Sequence, residues 1–77
     1  MRRIVTRSDI RNTMIELCKN QSKFYNHDVR MRGGYSETEA PPRIISLIAS
    51  GLEIEGKLEI KRKGNMNCYE SKLWKSI

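Results

Sequence analysis

The chain has 77 residues, of which 38% are hydrophobic and 31% charged, and 15 Lys and Arg against 9 Asp and Glu give it a net charge of +6. This length leaves room for one small domain spanning residues 1–77, which excludes a multidomain enzyme. No apolar run approaches the roughly 20 residues that a membrane-spanning helix needs, and no signal-peptide pattern follows the basic first residues. We therefore expect a cytoplasmic protein with no membrane partner.

The basic residues are concentrated at the two ends of the sequence. Residues 1–32 carry a net charge of +5 and residues 57–77 one of +4, whereas residues 33–56 carry −3. A basic balance of this size indicates nucleic acid as the partner. The two cysteines lie 50 residues apart and the chain has one histidine, which is not the ligand spacing of a zinc site. We expect no metal, no cofactor and no catalysis.

The first predicted elements are a helix and a short strand. Thr6 or Ser8 is a suitable N-cap for a helix that ends near Asn20. Within this helix, one apolar stripe has the spacing of a buried face: Ile10, Met14, Leu17 and Cys18. Residues 23–25 then predict a short strand.

A second, shorter helix follows this strand. Asn26 is its predicted N-cap, Met31 lies near its end, and Val29 is the residue that we expect in the core. Gly33 and Gly34 end the helix, because glycine accepts the positive φ of a tight turn.

The start of the third helix has two interpretations. Ser36 and Glu39 match a capping box, which favours a helix starting there. Pro41 and Pro42 argue against this, because proline is tolerated only in the first turn of a helix. We favour a start at the prolines.

The end of the third helix also has two interpretations. One apolar stripe predicts a helix to about Glu55: Ile45, Ile48, Ala49 and Leu52. In the alternative, the helix ends at Gly51 and residues 52–54 pair with residues 58–60 in a hairpin.

The last part of the chain has a β pattern. Residues 58–61 alternate apolar and charged side chains, and residues 62–65 supply turn chemistry. A second strand is predicted from Met66 to about Trp74, with Tyr69 and Leu73 on one face. The sequence therefore predicts a hairpin with a polar, basic tip.

The order helix, strand, helix, turn, helix and hairpin resembles a winged helix-turn-helix domain. The best local match lies in residues 45–58, where an apolar helix end runs into Glu-Ile-Glu-Gly and a first wing strand. Gly34-Tyr35-Ser36 is similar to the turn before the third helix, and Tyr69 falls where the returning strand often carries an aromatic residue. The resemblance implies an α+β fold of three helices with a C-terminal β-hairpin wing.

The resemblance also implies a function. Small regulators of bacterial operons, plasmids and phages are similar in size, and such domains bind double-stranded DNA. Helix 3 is then expected in the major groove and the hairpin on the flanking backbone. The function expected for this chain is sequence-specific DNA binding in transcription regulation.

The third helix supplies the candidate base contacts. If its predicted stripe is buried, its other side presents Arg43, Ser46 and Ser50, wherever the helix ends. Arg43 is the only base of this segment, and a bidentate contact between arginine and guanine is the commonest specific contact. Leu47 is expected at the edge of the core, with a contact to a thymine methyl group as the alternative.

Other candidate contacts contribute affinity rather than selectivity. The candidates on the wing are Lys61, Arg62, Lys63, Asn65 and Asn67. Arg30 and Arg32 are candidates for phosphate contact around helix 2. Arg2 and Arg3 are candidates for a flexible basic arm over residues 1–7 that reaches into a minor groove.

Two questions about partners stay open at this point. The glutamates of residues 33–56 repel phosphate, which favours a protein partner as the alternative, with Trp74, Tyr35 and Leu47 as its anchors. A homodimer is also open, because helix-turn-helix proteins commonly bind paired half-sites.

Overall fold

The computed structural model describes residues 4–74. Its elements are α1 (Arg7–Asn20), β1 (Lys23–Tyr25), α2 (Asn26–Gly33), α3 (Pro42–Ile54), β2 (Leu58–Lys63) and β3 (Met66–Ser71). The three strands form one antiparallel sheet in the order β1-β3-β2, so the last strand lies in the middle. The chain is thus a small α+β domain. Within residues 4–74, no helix is long and apolar enough to span a bilayer.

The first helix begins with a reciprocal cap. The Thr6 hydroxyl accepts a hydrogen bond from the Asp9 amide at 3.1 Å, and the Asp9 carboxylate accepts one from the Thr6 amide at 3.0 Å. Thr6 is therefore the N-cap, not Ser8, and the predicted apolar stripe is buried. The predicted arm over residues 1–7 is wrong for Thr6 and Arg7, which belong to the start of α1. Its arginines, Arg2 and Arg3, lie outside the described residues.

The second helix begins differently from the prediction. Asn26 is its first residue rather than its N-cap, because the side chain of Asn26 accepts a hydrogen bond from the Tyr69 hydroxyl at 2.6 Å. The Asp28 carboxylate accepts a hydrogen bond from the Tyr25 amide at 2.8 Å, so this backbone donor at the start of the helix has a partner. The core position of Val29 is confirmed.

The segment between α2 and α3 combines features of both predicted starts. Gly34 ends α2 with a φ of 70°. Ser36 and Glu39 form the expected capping box, with bonds of 2.9 and 3.1 Å, but it closes only a turn. The favoured start at the prolines is confirmed, because α3 begins at Pro42. The alternative end at Gly51 is wrong, since the helix runs to Ile54.

The core lies between the helices and one face of the sheet. Phe24 and Tyr69 contribute its two aromatic rings, with centroids 5.4 Å apart and planes at 44°. From α3, Ile45, Ala49 and Leu52 are fully buried, and Ile48 is only partly buried against them. Both cysteines are buried free thiols.

The hairpin has the predicted position but a shorter second strand. β2 pairs with β3 from Leu58 opposite Ser71 to Lys63 opposite Met66, and Gly64 turns the chain with a φ of 60°. β3 ends at Ser71, so the predicted extension to Trp74 is wrong. Trp74 lies beyond the sheet with 42% of its surface exposed.

Candidate nucleic-acid interface

The outer face of α3 is a row of four residues. Successive residues of a helix are rotated by about 100°, so the face opposite the buried stripe carries Arg43, Leu47, Ser50 and Ile54. All four are exposed, and Leu47 and Ile54 keep 54% and 87% of their surface in solvent. The predicted place of Arg43 and Ser50 on this side is confirmed. The predicted place of Leu47 at the edge of the core is wrong.

Ser46 occupies the side of α3 that faces the hairpin. It is half-buried, and its hydroxyl accepts a hydrogen bond from the side-chain amide of Asn67 at 3.2 Å. These two predicted DNA contacts are therefore partners of each other. Two helical turns further along α3, the Glu53 carboxylate accepts a hydrogen bond from the Ile60 amide at 3.0 Å. The two bonds hold α3 alongside the hairpin.

These two bonds also define how the hairpin runs along α3. Glu53, near the end of α3, bonds to the middle of β2, whereas Ser46 bonds to Asn67, which pairs with Arg62 near the tip. The tip therefore extends toward the N-terminal end of α3, which carries Arg43. The cations of the tip and the arginine of α3 lie at the same end of the molecule.

Strand alternation separates the cations of the hairpin. Leu58 is buried and Ile60 is partly buried against the core, so Arg62 follows them on the α3 side of β2. Lys61 and Lys63 point to the opposite face of the hairpin. Lys61 is also paired, with its Nζ 3.4 Å from a Glu59 carboxylate oxygen. Arg62 is thus the hairpin cation beside α3.

The cations at this end are not used by the fold. The side chains of Arg43, Arg62 and Lys63 form neither an ion pair nor a hydrogen bond with any residue from 4 to 74. Asn65, at the turn, is exposed as well. Their charges and donors are therefore presented to solvent at one edge of the protein.

The arginines of α2 are placed differently. The Arg30 Nε donates to the Ala40 carbonyl at 2.9 Å, and its Nη2 is buried without a partner in the part of the chain that the structure describes. Arg32 forms an exposed ion pair with Glu16 at 2.8 Å. Arg30 holds α2 to the start of α3, so phosphate contact is not the role that its geometry favours.

Two glutamates of residues 33–56, the acidic part of the sequence, have partners within the protein. Glu55 pairs with Arg11 and with Lys57, and the hydrogen bond from Arg11 is the largest cause that lowers the pKa of Glu55. Glu53 is bonded to the Ile60 amide, as described above. The repulsion of phosphate that the sequence predicts is therefore reduced most at Glu55, where two cations neutralise the carboxylate.

A polar cluster lies behind this surface. The Tyr69 hydroxyl donates to Asn26 and lies beside Ser46 and Asn67. Burial is the largest influence and raises the pKa of Tyr69, although the two neighbouring side chains act in the opposite direction. The cluster joins the start of α2, the middle of α3 and β3, so it fixes α3 against the sheet.

One contact that sequence reasoning missed fixes the turn before α3. The ring of Tyr35 lies against Gly33, and its hydroxyl bonds to the Thr13 hydroxyl at 2.9 Å and donates to the Asp9 carbonyl at 3.2 Å. These groups border an open groove of about 400 Å³ that includes no residue of α3 or of the hairpin among the described residues. The adjacent glycines before Tyr35 were the available signal, since a glycine permits close approach of a ring.

Within residues 4–74, no group of His, Cys, Asp and Glu side chains is arranged to hold a metal ion. Comparisons of the chain with protein-family models, curated proteins and solved structures give no significant match.

Proposed function

We propose that this chain is a winged-helix protein that binds double-stranded DNA and acts as a small, sequence-specific transcriptional regulator. In this proposal α3 enters the major groove and the hairpin is a wing that lies on the flanking backbone. The element order and the sheet order β1-β3-β2 are compatible with a winged helix.

The single observation that carries the proposal is the arrangement of free cations around the start of α3. Arg43 is exposed on its outer face, and the hairpin brings Arg62 and Lys63 to the same end. A helix with its side chains is about 10–12 Å wide and the major groove about 12 Å, so α3 fits with Arg43 toward the bases. The hairpin cations then lie toward the phosphates.

The experiment is a titration of a labelled duplex at several salt concentrations. We expect affinity to fall linearly on a log–log plot, by about 0.9 log unit per log unit of salt for each phosphate neutralised. The double variant Arg62→Gln/Lys63→Gln loses up to two such contacts, so its slope becomes shallower by up to about 1.8. Fluorescence anisotropy measures both quantities.

The matched control is Arg32→Gln, which removes an exposed arginine that already has an acidic partner. Its salt slope should equal that of the unmodified chain. Arg43→Gln should instead reduce the preference for a selected site over random duplex by roughly tenfold, which is within the range for one bidentate base contact. Absence of duplex binding at low salt, or equal slopes for the hairpin variant and the control, would contradict the proposal.

A protein partner is the second candidate, because two large apolar side chains on the outer face of α3 are exposed. Ile54 and Leu47 are the residues concerned, and Trp74 adds a third exposed apolar group. Capture of a stoichiometric protein whose binding is lost in Ile54→Ser but kept in Arg62→Gln/Lys63→Gln would favour this candidate over DNA.

A further inference from the structure

The position of Leu47 on α3 has a consequence for the sequence of the duplex. Leu47 follows Arg43 by four residues, so it lies one turn further along the same face, about 6 Å along the helix axis. It is 54% exposed and is not among the residues that pack against the core. An aliphatic side chain is therefore presented beside the arginine that we assign to a base.

We propose that Leu47 contacts the C5 methyl group of a pyrimidine, within about one or two base pairs of the base that Arg43 contacts. The inference rests on the proposed function and names the chemistry of the site that α3 would select. Base pairs are stacked about 3.4 Å apart and a helix crosses them obliquely in the groove, so side chains about 6 Å apart along α3 reach base pairs about one or two steps apart. Among the four ordinary bases, only thymine presents an apolar group in the major groove. In methylated DNA, 5-methylcytosine presents the same group.

The charges around α3 favour Leu47 over the other apolar residue of this face. Ile54 is seven residues beyond Leu47 and is flanked in sequence by Glu53 and Glu55. Glu55 is neutralised by Arg11 and Lys57, but the Glu53 carboxylate has no cationic partner within residues 4–74 and is repelled by phosphate, whereas the end with Arg43 is attracted to it. The N-terminal half of α3 is therefore the half that approaches the duplex, and Leu47 is its exposed apolar side chain.

The neighbours of Leu47 are compatible with a close approach to the base edges. Ser50 is small and exposed on the same face, and Gly51, the next residue, has no side chain. Neither would hold α3 away from the groove. The two bonds that attach α3 to the hairpin, from Asn67 to Ser46 and from Ile60 to Glu53, lie at a different side of the helix.

The experiment begins with selection of a preferred duplex from a random library by the full chain. Each thymine of that duplex is then replaced, one at a time, by deoxyuridine, which removes only the C5 methyl group. We expect one position to lose affinity about fourfold, the ratio that corresponds to one buried methyl group. At that position, a duplex with a 5-methylcytosine·guanine pair should bind more tightly than one with a cytosine·guanine pair, because the two differ only in the methyl group, and an equal affinity would contradict the methyl contact.

The variants assign the effect to Leu47. Leu47→Ala should bind the thymine and deoxyuridine duplexes equally, and Ile54→Ala, the matched change at the other end of the face, should keep the fourfold difference. Both residues are exposed, so both variants should keep the thermal midpoint of the unmodified chain.

The outcomes separate this inference from the proposed function. If no duplex is selected, both fail. If a duplex is selected but no uridine position weakens binding, or if Leu47→Ala keeps the difference, the methyl contact is overturned while DNA binding stands. A loss of the difference in Ile54→Ala alone would place the contact at the wrong end of α3 and overturn the inference too.

Discussion

Three arginines of α1 and α2 and the cations around the start of α3 have the same charge but different partners. Arg11 and Arg32 are paired with carboxylates, and Arg30 donates to a backbone carbonyl. Arg43 and Arg62 have no such partner in residues 4–74. The net charge of a segment therefore does not say which of its residues are available to a ligand.

For binding a ligand, the partner that each cation already has matters more than the number of cations. Residues 1–32 have the larger net charge, but Arg32 links α2 to α1, Arg30 links α2 to the segment before α3, and Arg11 links α1 to the end of α3. The hairpin has fewer cations, and its turn extends beyond the core. Changes in the first region should therefore reduce stability, and changes in the second should reduce binding alone.

The largest expected loss of stability is at the contact between Gly33 and Tyr35. A Cβ added at Gly33 would lie 2.1 Å from the Cε2 of Tyr35, so Gly33→Ala forces the ring away from its bonds to α1. We expect the free energy of unfolding to fall by about 1–3 kcal/mol, the range for overpacking. Urea denaturation measures this loss.

The control for this change is the same substitution in a Tyr35→Ala background. There the clash is absent, and alanine is the better helix former by up to about 1 kcal/mol, so Gly33→Ala should be neutral or stabilising. Equal losses in the two backgrounds would show that the ring is not the cause.

A smaller loss of stability is expected at Arg30. Arg30→Met removes the bond to the Ala40 carbonyl while keeping the aliphatic stem, and we expect a loss of about 1 kcal/mol. Arg32→Met removes an exposed ion pair and should cost no more than about 0.5 kcal/mol. Urea denaturation of the two variants side by side compares their free energies of unfolding. A larger loss for Arg32→Met would contradict the expectation that Arg30 contributes more to stability.

The smallest expected effect is on the pH dependence of stability. The pKa of Glu55 is lowered in the folded protein by Arg11, so the pair contributes stability above the ordinary glutamate value of 4.5, which is lost as the pH falls through the lowered pKa. In Arg11→Gln, the loss of thermal midpoint between pH 7 and pH 3 should be smaller than in the unmodified chain.

The control for the pH experiment is Arg43→Gln, because Arg43 has no acidic partner in the described residues. Its pH dependence should match that of the unmodified chain. If Arg43→Gln and Arg11→Gln change the loss of thermal midpoint between pH 7 and pH 3 equally, the distinction between paired and free arginines does not hold.

Local patterns were enough to predict most of the elements. The buried stripe of α1, the short strand 23–25, the start of α3 at the prolines and the hairpin follow from spacing, caps and turn residues within a few positions of each other. The α+β fold class follows from these local patterns. The position of β3 between β1 and β2 depends on contacts between distant residues, which local patterns do not predict.

One group of errors arose where a side chain is used by a distant residue. Asn26 has the chemistry of an N-cap, but Tyr69, 43 residues away, takes its side-chain oxygen. Arg11 and Glu55 are separated by 44 residues, and Asn67 and Ser46 by 21. No local pattern indicates such pairs, so the sequence overestimates how many polar side chains a ligand can reach.

The carboxylate of Glu53 has a further consequence for self-association. β2 is an edge strand, and an unpaired amide on such an edge is a template for another strand. Glu53 already occupies the outward amide of Ile60, so a second chain could pair there only by displacing that bond and burying a carboxylate. The same interaction that attaches α3 to the hairpin thus hinders the addition of a strand from a second chain at Ile60. A homodimer is therefore expected to assemble through another surface.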